Sequence, residues 1–189
     1  MRTVAIHQPN FMPWYPFFQK MAHADVFVIM SHCQYEKNGY QNRFNMDNKW
    51  KTMSVYRGLD PINKKQYVNP QSDWQKIKTS MPEYSKQLRE FDNCIQQSLI
   101  KTNEAIIRKI ANLLNIKTEI VIDSPSELKS TERLVEICVK NGATEYLAGI
   151  SGKKYLHTEL FVREGIRLSY QSESDMIKKD ILGILKNVR

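Results

Sequence analysis

A chain of 189 residues with 41% hydrophobic content is sized for one globular domain rather than two, and its seven glycines and seven prolines exclude a collagen-like or disordered chain. The formal net charge of +8 points to an anionic partner: nucleic acid, a phosphorylated or nucleotide-linked substrate, or an acidic carrier. Three cysteines, Cys33, Cys94 and Cys138, form no CxxC pair, which excludes a disulfide framework and a cysteine zinc site.

The lysines are scattered and form no basic tail, so a solvated basic surface fits the charge equally well. No signal-peptide pattern opens the chain, and no apolar stretch approaches the roughly 20 residues needed to span a bilayer. The expectation is a soluble, cytoplasmic protein with reduced cysteines.

In chain order, Val4–Ile6 and Val26–Met30 are short, uninterrupted apolar runs, the pattern of buried parallel strands. Pro9 and Pro13 mark an extended loop after the first run, and Pro16 suits the first turn of a helix over 14–23. Asn38-Gly39 predicts a hairpin turn flanked by 34–36 and 41–45, and 50–56 is a further candidate strand. A polar loop is expected over 60–70. Helices are expected over 74–80, 83–99 and 102–114, the last from its apolar stripe at 106, 107, 110, 113 and 114. The remainder alternates: strand 119–122, a helix opened by 123–126 and ended by Asn141-Gly142, strand 145–148, helix 153–162, strand 166–170 and a closing helix 174–187. This predicts an α/β fold: a mostly parallel, Rossmann-like sheet flanked by helices, with a β-hairpin near the N-terminal strands. The expected organisation is one domain over 1–189, with 72–115 as a helical insert or lid.

Both early strands run directly into polar residues, His7-Gln8-Pro9-Asn10 and Ser31-His32-Cys33-Gln34. Ligands of open α/β sheets bind outside the carboxyl ends of the strands, so both clusters are candidate site segments. His7 titrates near neutrality and suits acid, base or phosphate-partner chemistry; the competing role is a histidine that simply holds its loop. Arg43 offers a planar fork for carboxylate or phosphate, and Asn42 can orient an acceptor; the same pair could serve only to stabilise a hairpin. Tyr35 and Lys37 would complete a polar wall, and Trp14 could stack on a ring. The turn Gly149-Ile150-Ser151-Gly152-Lys153-Lys154-Tyr155 follows another strand and could cradle an anion, although its spacing is not that of a P-loop. Cys33 beside His32 or His7 fits a structural thiol better than a nucleophile. No metal-ligand spacing or cofactor motif is present.

These segments also carry a resemblance. His-Gln-Pro-Asn-Phe-Met-Pro-Trp at 7–14, Ala-Asp-Val-Phe-Val-Ile at 24–29, Gln-Tyr-Glu-Lys at 34–37 and Tyr-Gln-Asn-Arg at 40–43 resemble the WbqC-like protein family. So do the stretches 145–156 and 165–171, and together they span nearly the whole chain. The resemblance implies a transferase that decorates an amino sugar with an acyl or aminoacyl group in O-antigen or other surface-polysaccharide biosynthesis. The family's recurrent polar positions fall on Gln8, Pro9, Lys37, Asn42, Arg43, Gly149, Ser151, Gly152 and Tyr155. Ser31 and His32 stand where many relatives carry acidic residues, and Pro16 where many carry glycine. If that acidic position is catalytic in relatives, the resemblance implies either altered chemistry here or His32 in the acid's place.

The combined expectation is an acyl or aminoacyl transferase acting on the amine of a nucleotide-linked amino sugar. Its catalytic residues would be His7, Asn42 and Arg43. Gln8, Pro9, Asn10, Trp14, His32, Gln34, Tyr35, Lys37, Gly149, Ser151, Gly152 and Tyr155 would bind substrate. The donor would be nucleotide-activated or held on an acyl or aminoacyl carrier protein, with no resident cofactor. The alternatives are a phage or bacterial protein that binds or modifies nucleic acid, and a non-catalytic subunit of a biosynthetic complex.

Overall fold

The computed structural model describes residues 1–188. Its strands, in chain order, are β1 (Thr3–His7), β2 (Val26–Ile29), β3 (Arg43–Met46), β4 (Lys49–Thr52), β5 (Glu119–Ile122), β6 (Glu145–Ala148) and β7 (Arg167–Tyr170). The α-helices are α1 (Tyr15–Ala22), α2 (Pro70–Thr79), α3 (Ser85–Arg89), α4 (Leu99–Leu113), α5 (Ser130–Lys140), α6 (Thr158–Arg163) and α7 (Ile181–Leu185). They are gathered into two compact units. The first comprises Met1–His7, Pro16–Met30 and Ile116–Ile177, and the second the intervening segments and the chain from Lys178 onward.

The first unit is the expected α/β core. Its sheet is parallel throughout, in the order β5-β2-β1-β6-β7. Side chains alternate across β1, so Val4 and Ile6 face one side and Ala5 and His7 the other. Val4 and Ile6 join Val26, Val28, Tyr146, Ala148, Ile137 and Phe161 in one buried cluster, which packs α5 and α6 onto that face. On the opposite face α1 supplies Phe17, Phe18 and Met21, all buried, with the Phe17 ring 5.0 Å from Phe27 and 4.8 Å from the His7 imidazole. Burying each such side chain contributes about 1.5–3 kcal/mol.

The second unit holds the β3–β4 hairpin with α2, α3, α4 and α7. Its centre is Phe11, whose ring meets Phe44, Tyr67 and Trp74 at 5.8, 6.3 and 6.2 Å. The loop that leaves β1 is therefore a core-forming segment of this unit.

Several predicted elements differ. The hairpin turn lies at Asp47-Asn48, which take φ of 49° and 60°, the left-handed pair a two-residue turn needs and that Asp and Asn tolerate. At the predicted turn only Asn38 is left-handed, and Gly39 closes a turn onto the Glu36 carbonyl without paired strands. The expected helix over 83–99 is broken around 92–98. Asp92 accepts hydrogen bonds from the Trp74 indole and the Lys78 ammonium, both at 2.7 Å, which pins the chain off a helical path. Helix α5 starts at Ser130 because Arg133 holds Asp123, at 2.8 Å, and the Ser124 carbonyl, keeping the preceding stretch extended. The expected helix over 153–162 is a short 3-10 turn over Ile150–Lys154 followed by α6. The expected helix 174–187 shrinks to α7. Gln171 and Asp175–Ile177 bond instead to α1, through the Pro16 carbonyl and the Gln19 amide, at 2.8–2.9 Å.

Candidate functional site

In the first unit, β1 is followed in the sheet by β2 on one side and β6 on the other, and the chain winds outward in both directions from that pair. The gap between the carboxyl ends of β1 and β6 is thus the topological switch point, where ligands of open α/β sheets bind. His7 ends β1 and the Gly149–Tyr155 turn follows β6. His7 is half-buried, held edge-on to Phe17, and its carbonyl accepts from Met30 N at 2.9 Å. Ser151 and Tyr155 are exposed. Gly152 is buried, and a Cβ there would lie 2.8 Å from Leu156 Cδ1, the end of a side chain that would have to shift. Gly149 differs. Its φ of −70° suits any residue, and a Cβ would meet nothing within 4 Å. Open space borders the strand end there.

A residue the sequence reading missed belongs to this place. Lys20, on α1, is 3% exposed, and its Nζ donates to the Ile6 carbonyl at 2.9 Å. Burial pushes its pKa down to about 7, because the charged form loses its water. The Phe27 ring centroid is 5.9 Å from the amine. One signal could have found it: Lys20 is four residues from Pro16 and three from Phe17, on the apolar stripe of the helix.

The second unit gathers four of the other candidates, Gln8, Pro9, Tyr35 and Asn42, into two hydrogen-bonded groups. Gln8 accepts from Gln41 Nε2 at 2.6 Å and lies 3.5 Å from Cys33 Sγ. The Pro9 and Gln41 carbonyls both accept from Asn103 Nδ2 at 2.7 Å, and Asn103 Oδ1 accepts from Tyr67 Oη. Asn103, wholly buried in the second turn of α4, therefore fixes the loop that carries Gln8, Pro9 and Asn10. In the other group, Tyr35 Oη donates to Asn42 Oδ1 at 2.8 Å, while Asn42 Nδ2 donates to the Met53 carbonyl at 2.7 Å. Burial raises the Tyr35 pKa, partly offset by Arg43, so the phenol stays a donor at neutral pH.

Arg43 donates to the Gly39 carbonyl at 3.1 Å and to the Asn38 carbonyl, and its guanidinium stacks 4.0 Å over Trp50. Both Asn42 and Arg43 thus spend polar groups on the hairpin and its preceding turn. His32 is half-buried beside Ser31 Oγ, at 3.4 Å. Trp14, Gln34 and Lys37 are exposed. Among the described residues, no three His, Cys, Asp or Glu side chains cluster as metal ligands would. No helix among them is long and apolar enough to cross a membrane.

The fold and this strand-end arrangement define a Rossmann-like α/β protein with a switch point between β1 and β6. The chain belongs to the WbqC-like protein family, whose model matches residues 8–178. It is similar to the uncharacterized protein Rv1507c of Mycobacterium tuberculosis, 26% identical over 189 residues that span 90% of this chain and 82% of the relative. No solved structure matches.

Proposed function

We propose that the protein transfers an acyl or aminoacyl group to the amine of a nucleotide-linked amino sugar, in the biosynthesis of a surface polysaccharide. The observation that carries this reading is the pairing of His7 with the Gly149–Tyr155 turn at the two strand ends of the switch point. Such a crevice suits a nucleotide-linked substrate, and the net charge of +8 suits its phosphates or an acidic carrier that presents the donor.

In this mechanism the acceptor amine attacks the donor's carbonyl carbon. A C–N bond forms and the C–O or C–S bond to the carrier breaks. His7 takes the proton lost by the amine and returns it to the leaving oxygen or sulfur. The Phe17 contact holds the imidazole in one orientation for both transfers. Membership of the WbqC-like family supports the reading.

The test is mass spectrometry of a nucleotide-linked amino sugar incubated with the protein and acyl- or aminoacyl-charged carriers. The expected product gains the acyl mass, and His7→Gln slows its formation by roughly 10²–10⁴-fold while melting like the parent. A His7→Gln variant with the parental rate would remove His7 from the mechanism. The absence of product from every donor class would overturn the function.

A further inference from the structure

At its carboxyl end each neighbouring strand pair closes with one further backbone rung. Met30 N donates to the His7 carbonyl for β1–β2, Asp123 N to Ile29 for β2–β5, and Gln171 N to Ala148 for β6–β7. In each case the donor follows the residue paired with the acceptor. The β1–β6 register runs Thr3↔Glu145, Val4↔Tyr146 and Ala5↔Leu147. By the same rule the next donor to the Ile6 carbonyl would be Gly149 N. Ile6 accepts from Lys20 Nζ instead, at 2.9 Å. The amine stands where the sheet would have closed, and the space beside Gly149 is open.

An ammonium has three donors and Ile6 uses one of them. In a buried setting beside the Phe27 ring, the other two have the strongest preference for an anionic acceptor. We propose that Lys20, with the open space at Gly149, forms an anion subsite in the switch-point crevice that takes a phosphoryl group of a nucleoside diphosphate moiety. This inference rests on the proposed nucleotide-linked substrate and names the group that would hold it.

A bound anion also makes the ammonium the favoured form, so at pH above 7 binding draws a proton onto Lys20. Of the titratable groups on the surrounding elements, His7 shares the face at the carboxyl end of β1, edge-on to Phe17. Asp25 is bonded to Thr3 N, and Glu145 to Arg167, at the amino ends of the strands. On α1 itself His23 is bonded to the Gln19 carbonyl, and the packed stretch 171–177 carries Glu173 and Asp175 on its exposed side.

The experiment is calorimetric titration of the full chain with uridine diphosphate between pH 7.5 and 8.5, where the terminal phosphate is already ionised and the uracil ring is still largely neutral. The wild type should lose affinity up to roughly tenfold per pH unit, with proton uptake approaching one per site. Lys20→Met should bind at least tenfold more weakly and without pH dependence. Gly149→Val, whose backbone conformation accepts the change, should weaken binding by filling the space while keeping the parental melting temperature. Undetectable binding by the wild type, pH-independent binding, or parental affinity in both variants would overturn the subsite. Acyl transfer with pH-independent nucleotide binding would sink the subsite and leave the proposed function standing. The expected titration without any transfer would do the reverse.

Discussion

At the scale of single residues, the most informative side chain is Lys20. A lone lysine in a short amphipathic helix resembles the usual long side chain with its head in water. Only its register with Pro16 and Phe17 signals otherwise, and the carbonyl it meets lies on another element, which periodicity cannot show. Its burial has a consequence for stability. The folded pKa of about 7 lies below the ordinary lysine value of 10.5. Below pH 7 both folded and unfolded chains carry the proton, and the folded state bears the full cost of a buried charge. Between pH 7 and 10.5 unfolding takes up a proton, so this group's contribution to stability rises with pH. Lys20→Met is therefore expected to be more stable than the parent at neutral pH, with the advantage shrinking up to tenfold in the folding equilibrium per pH unit on going to pH 10. Denaturant unfolding at three pH values checks this, and parallel stability profiles for the two proteins would refute it.

At the scale of elements, the strands were the most legible features. Val4–Ile6 and Val26–Ile29 are buried on both faces, so their apolar runs are unbroken and need no alternation to be recognised. His7 could be located at a strand's carboxyl end for the same reason. The hairpin was legible as an element but misplaced, because Asn38-Gly39 carries the stronger turn signature and Asp47-Asn48 makes the turn. The helices over 83–99 and 174–187 were overextended, since Trp74, Lys78 and Gln19 capture their backbone or side chains from distant positions. Arg43 is the key side chain of the hairpin, tying two carbonyls of the preceding turn and stacking on Trp50. Arg43→Ala should cost about 1–3 kcal/mol in unfolding free energy, and Arg43→Lys should recover only part of it, because the planar fork and stacking are lost. If its work is confined to the hairpin, nucleotide affinity stays parental in both variants. A loss of affinity larger than the loss of stability would assign it a direct part in binding.

At the scale of the molecule, the parallel sheet and its helices were legible because strands and helices alternate in the last third of the chain. The second unit was less so. Its core is assembled from Phe11 in a proline-rich loop, Phe44, Tyr67 and Trp74, residues scattered along the chain with no common period. Asn103 likewise binds Pro9 across 94 positions. Substrate is expected at the switch point of the first unit. Amide hydrogen exchange of the full chain with and without a uridine-diphosphate-linked amino sugar is the deciding measurement. The prediction is protection concentrated at residues 6–8 and 148–155; unchanged exchange at both segments, with protection confined elsewhere or absent, would contradict it.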